Sequence, residues 1–121
     1  MQIIGNQFEL FWVSDSDGSG WTLSRALQTH LGLSHVSSYE DVLAAVHPRD
    51  QRRVRQQLES ARSARDGITL KFKVWLPSNQ VFAQARLVGW PRFINGNTFL
   101  GHIGFWRIKL PSAPPDIGDL N

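Results

Sequence analysis

Six arginines lie between residues 49 and 65, at Arg49, Arg52, Arg53, Arg55, Arg62 and Arg65, against only Asp50 and Glu59. Six cations against two acids leave a local charge of +4, more than the +3 of the whole chain. A helix that touches phosphates would look something like this. Yet neighbouring residues on a helix are turned by about 100°, so Arg52, Arg53 and Arg55 spread around the axis. No helix-turn-helix spacing accompanies them. The pattern predicts a solvated face or a contact with an acidic neighbouring domain or a phosphate-bearing messenger. It ranks nucleic-acid binding through the 49–65 helix last.

The other reactive side chains form no catalytic set. His30, His35, His47 and His102 are scattered, whereas zinc requires tightly paired ligands, and there is no cysteine. Thiolate catalysis, disulfides and cysteine-held metals are thereby excluded, and no metal site is expected. Ser19 and Ser24 lie near His30 without triad spacing. Asp15 and Asp17 sit two apart in "SDSDGSG", but the further oxygens and closing glutamate of a calcium loop do not follow. "GSG" at 18–20 precedes "WTLS" rather than the Lys-Ser/Thr opening of a phosphate-loop helix. The sequence therefore predicts no catalytic residues.

At 121 residues, 41% hydrophobic and 19% charged, the chain is long enough for one domain with a real core. Five tryptophans and seven phenylalanines are a heavy aromatic load, which serves either a large-residue core or a ring-lined cavity. No apolar run reaches membrane-spanning length, and "MQIIGNQFELFWV" lacks both a basic leader region and a cleavage site. A cytoplasmic domain without membrane insertion is the simplest expectation.

Residues 8–13, "FELFWV", read as a first strand and "GWTLS" as a short second one, with a turn between. Leu23, Ala26, Leu27 and Leu31 share a helical stripe that Gly32 ends. "SSYEDVLAAV" offers Ser37 as an N-cap with Glu40 three residues on. Pro48 stops that helix near His47, and Asp50 is placed to cap a third helix from Gln51 to about Ala64. After Gly67 the period changes to two, with Ile68, Leu70, Phe72, Val74 and Leu76 on one face. Two more strands follow, "VFAQARLVGW" and "FLGHIGFWRIKL", joined through Asn95–Gly96. The expectation is α+β: a five-stranded antiparallel sheet with short helices on one face. Residues 1–7 form a lead-in or cap, 8–110 a single domain, and 111–121 a proline-rich linker.

In order and spacing these elements resemble a PAS domain, the sensory fold of many bacterial signalling proteins. "AAVHPRDQRRV", 44–54, resembles the helix–HPxD–helix junction of one subtype, in which His47, Pro48 and Asp50 hold the bend. "HLG" at 30–32, "GITLKFKVWLPSNQVFAQARLVG" at 67–89 and "GHIGFWRI" at 101–108 extend the likeness across residues 8–108. One departure is the end of the last strand, where "WRIKLP" lacks the aspartate-containing triplet that leads to an outgoing helix.

The resemblance implies a non-enzymatic sensory or relay module. It implies a possible cavity for a small apolar or aromatic ligand between sheet and helices, lined by Val42, Val46, Val54, Leu58, Phe72, Val74, Leu87, Phe99, Ile103 and Phe105. The same residues could equally make solid core. Haem on one histidine, or flavin held without an adduct on Trp21, Trp75 or Trp90, is chemically allowed, but no feature calls for either. A flavin–cysteine adduct is excluded. The expected partners are a second copy, through an interface including Ile3, Phe8, Trp75 and Trp90, and a histidine-kinase or cyclic-dinucleotide output domain beyond residue 111. The rival reading is a homodimerisation or docking module without a ligand.

Overall fold

A computed structural model describes residues 2–4 and 10–111 of the chain. The elements run β1 (Gln2–Ile4), β2 (Phe11–Ser14), β3 (Gly20–Leu23), α1 (Arg25–Leu31), β4 (Val36–Ser38), α2 (Tyr39–Ala45), α3 (Pro48–Ala64), β5 (Ile68–Leu76), β6 (Val81–Ile94) and β7 (Thr98–Leu110). All strands pair antiparallel in one sheet, in the order β4-β3-β2-β7-β6-β5, with β1 also on β7. β1 pairs with residues 108–110 of β7 and β2 with residues 103–105, so the two share one position along its flank. The α+β architecture holds, but the sheet is six positions wide rather than five. The added strand β4 has three residues, too few for alternation to reveal. The strand expected over residues 8–13 is β2, which starts at Phe11; Phe8, the end of the lead-in and most of the linker lie outside the described residues.

Alternation drives the long hairpin. Ile68, Leu70, Phe72, Val74 and Leu76 of β5 are buried, and so are Ala83, Ala85 and Leu87 of β6. β7 turns His102, Trp106 and Ile108 inward. At the hairpin tip only residues 95–97 separate the paired Ile94 and Thr98. Asn95 and Gly96 have φ of 54° and 82° there, the left-handed conformations that Asn–Gly tolerates. The connection is a three-residue loop.

Two helix starts differ from expectation by a short step. Ser38, not Ser37, caps α2: its hydroxyl accepts from Asp41 N, and Asp41 accepts from Ser38 N, closing a reciprocal box. His47, not Asp50, caps α3, its Nδ1 accepting from Arg49 N at 3.1 Å. Pro48 then occupies the first turn, where a missing N–H costs nothing.

Asp50 is thereby freed to reach the sheet. Its carboxylate accepts from Lys73 N at 2.9 Å, His47 N donates to Lys73 O at 2.8 Å, and Arg53 donates to Lys71 O at 2.8 Å. The N-terminal part of α3 thus satisfies backbone groups of Lys71 and Lys73 on β5, an edge strand. Partial burial works against the Asp50 charge, but the bond from Lys73 and the Arg53 guanidinium more than offset it, and the carboxyl sits below its ordinary range. No helix among the described residues is long and apolar enough to cross a membrane.

Candidate functional site

The helix-facing side of the sheet is the first place to seek a ligand, and it is full. Gly89 and Gly104 are direct cross-strand partners, leaving a floor without side chains. The Trp12 indole lies on that floor, where a Cβ on Gly89 would come within 2.6 Å of its ring. Trp12 donates its Nε1–H to Val88 O and stacks on Trp21 at 4.3 Å between centroids. Tyr39 extends the stack from α2, its hydroxyl donating to Arg55 O, and burial pushes its phenol up to about 12. Trp106 packs edge-on against Phe72.

A pocket beside this stack, lined by residues including Trp12, Trp21, Leu58, Arg62, Ile68 and His102, measures about 20 Å³. That is room for about one water. Of the expected cavity residues, Val42, Val46, Val54, Phe72, Val74 and Leu87 are core, with Leu58 packed against them. Ile103 and Phe105 do not face the helices: Ile103 is 42% exposed on the opposite side, and Phe105 rests there beside Trp90. Phe99 lies at the hairpin end between Phe93 and His102. The inward residues of β7 are the even-numbered ones, because Gly104 must pair with Gly89 beneath Trp12.

The histidines are similarly absorbed. His102 is buried and donates Nε2–H to Asp66 O at 2.7 Å. His35 lies within 3.2 Å of Leu23 O and Gln28 Nε2. Burial lowers the pKa of His30. Among the described residues no three metal-ligating side chains cluster.

The arginines of α3 and its C-cap mostly hold the fold together. Arg55 pairs with Glu40 at 2.7 Å and with Glu59, and lies over the Tyr39 ring. Arg62 donates to Asp17 O at 2.6 Å, Arg65 covers Phe99, and Arg53 engages Asp50 and Lys71.

The outer face of β5, β6 and β7 is different. Lys71 stands opposite Arg86, and Arg86 opposite Arg107, making a transverse row of three cations. In the next row Lys73 faces Gln84, which faces Lys109. Together with Arg49 and Asp50 from α3 these residues line an open groove of about 530 Å³. Asp50 is the only carboxylate among the groove's lining. Like charges opposite one another destabilise a sheet, so pairing across the strands does not favour this row.

Apolar rings flank the band at both ends. Beyond Lys73 stand Trp75 and Phe82, their rings 5.0 Å apart. Beyond Lys71 come Val88, Phe105 and Phe11 in one row, then Trp90 and Ile103 in the next. Phe11, Trp75, Trp90 and Ile103 are all exposed. Trp75 and Trp90 are therefore on one face but at opposite ends of it. Ile3 is paired with Lys109 through the backbone, at the flank of the same band. Sequence reasoning missed the band because each strand supplies only one or two of its cations. The signal was the spacing of two in Lys71/Lys73 and Arg107/Lys109; only register unites them.

No family model and no curated protein matches the chain. Solved structures do. The N-terminal domain of a diguanylate cyclase with PAS/PAC sensor from Marinobacter aquaeolei is similar with a TM-score of 0.69, at 18% identity over 80% of this chain and 91% of that one. A domain of a putative light and redox sensing histidine kinase from Haloarcula marismortui gives 0.66, at 17% over 82% and 87%. A sensory box histidine kinase/response regulator from Burkholderia thailandensis gives 0.61, at 19% over 81% and 73%. The chain has a PAS-like fold.

Proposed function

We propose that this chain is a non-catalytic relay module of a signalling protein, working by docking through the outer face of β5–β6–β7. One observation carries the reading: the stacked Trp12 and Trp21 leave a pocket of only about 20 Å³ beside them, while the opposite face leaves a groove and two tryptophans open. The three similar structures support the setting, since they come from two histidine kinases and a diguanylate cyclase described as sensory or sensor proteins. A histidine-kinase or cyclic-dinucleotide domain is the proposed output partner, joined through residues 111–121, in a cytoplasmic protein. The signal then passes as a change in packing at the outer face, not as bond chemistry.

Native mass spectrometry of the purified chain, with its visible absorption spectrum, tests this. The expected folded species carries no organic ligand and no colour. An organic mass retained by the folded chain would overturn the docking reading in favour of an interior sensor.

A further inference from the structure

Resting on that docking reading, we infer that the outer face receives an acidic amphipathic helix of a partner protein, its carboxylates on the basic band and its apolar residues on the two aromatic ends. Three features select this occupant. The face of a sheet offers side chains and no free backbone groups, so whatever lies on it must satisfy its own hydrogen bonds, as a helix does. The order apolar–basic–apolar runs along the strands from Trp75 and Phe82, across Lys73, Gln84, Lys71 and Arg86, to Trp90 and Ile103. Phe82 and Trp90 are eight positions apart on β6, about 26 Å at the rise of a strand, or roughly 17 residues of helix. A small anion would use the band and leave both aromatic ends in water.

Charge argues against the nearest rivals. A second copy meeting this face squarely would set cation against cation. The chain's own residues 112–121 bring only Asp116 and Asp119 to a groove lined by Arg49, Lys71, Lys73, Arg86 and Lys109, besides Arg107, which has an interaction of its own.

The test is fluorescence anisotropy with a labelled synthetic helix of about 17 residues, glutamates at its centre and leucine and tryptophan at both ends. Saturable binding is expected, weakening as salt is raised. The double variant Lys71→Glu, Arg86→Glu should bind about tenfold or more weakly, with an unchanged circular dichroism spectrum. A lysine-centred version of the helix should recover affinity on that variant, which a misfolded protein could not do. Equal binding by protein and double variant overturns the inference, as does complete displacement of the helix by inorganic pyrophosphate at constant ionic strength or tighter binding of duplex DNA. So does a rise in affinity when residues 112–121 are removed, which would make the tail the occupant. Self-association that the double variant strengthens would make a second copy the occupant while leaving the docking reading intact. Failure of that reading itself would show as the retained interior ligand described above.

Discussion

Trp12, Trp21 and Trp106 lie on the helix-facing side of the sheet with at most 2% exposure, whereas Trp75 and Trp90 stand on the other side at 37% and 53%. The same residue type has two fates on one sheet. Inside, shape dictates it: the glycine floor of β6 and β7 fits the Trp12 ring and little else. Outside, nothing within the described residues needs an indole at Trp90 beyond its contact with Phe105. Exposed aromatics beside a row of like charges are the features on which the proposed docking rests.

The difference should be widest in stability. Trp106→Ala is expected to cost about 3–5 kcal/mol in urea denaturation, while Trp90→Ala stays within about 0.5 kcal/mol. A comparable loss from Trp90→Ala would break the distinction between the faces. Gly104→Ala should come next, at about 1–3 kcal/mol, because a Cβ there runs into the Val88 carbonyl of the paired strand. If it is neutral, the floor is less rigid than described.

Asp50→Ala probes the border between the faces, and should cost about 1–3 kcal/mol by leaving Lys73 N without its acceptor. Asp50 is held below its ordinary range in the folded chain, so its charge stabilises the fold fully above the unfolded value of about 3.9. That contribution is lost as pH falls through the lower folded value. The stability gap between the protein and Asp50→Asn should therefore close on acidification below about pH 4; a constant gap would mean the carboxylate charge is irrelevant. The smallest effect belongs to the outer face. Replacing Lys71 and Arg86 by glutamine should raise thermal stability slightly, by about 0.2–1 kcal/mol, since it removes like charges in direct opposition. A clear loss would show that the band serves the fold.

Much of the architecture was legible because β5 alternates without a break and Pro48 marks the helix junction. Pattern alone was weaker wherever a tertiary partner decides. Ile103 and Phe105 alternate as convincingly as His102, Trp106 and Ile108, and only the pairing of two glycines beneath Trp12 selects the inward set. Ser37 and Ser38 are equivalent as caps until the reciprocal bond with Asp41 distinguishes them. The helix arginines drew notice by crowding, yet Arg53, Arg55 and Arg62 are engaged by the fold. The band escaped notice because its members lie as far apart as Lys71 and Arg107 in the chain. Trp12 and Trp21 were counted as aromatic load, and their stacking across two short strands leaves no mark on periodicity.

The grip of α3 on β5 has a consequence for solution behaviour. An outermost strand of nine alternating residues is a template on which further chains can grow, and such growth ends in fibres. By occupying the Lys71 and Lys73 backbone groups, the side chains of Asp50 and Arg53 and the His47 amide act as a gatekeeper on that edge. Backbone-to-backbone polymerisation through this stretch of β5 is thereby disfavoured, and any association is left to side chains.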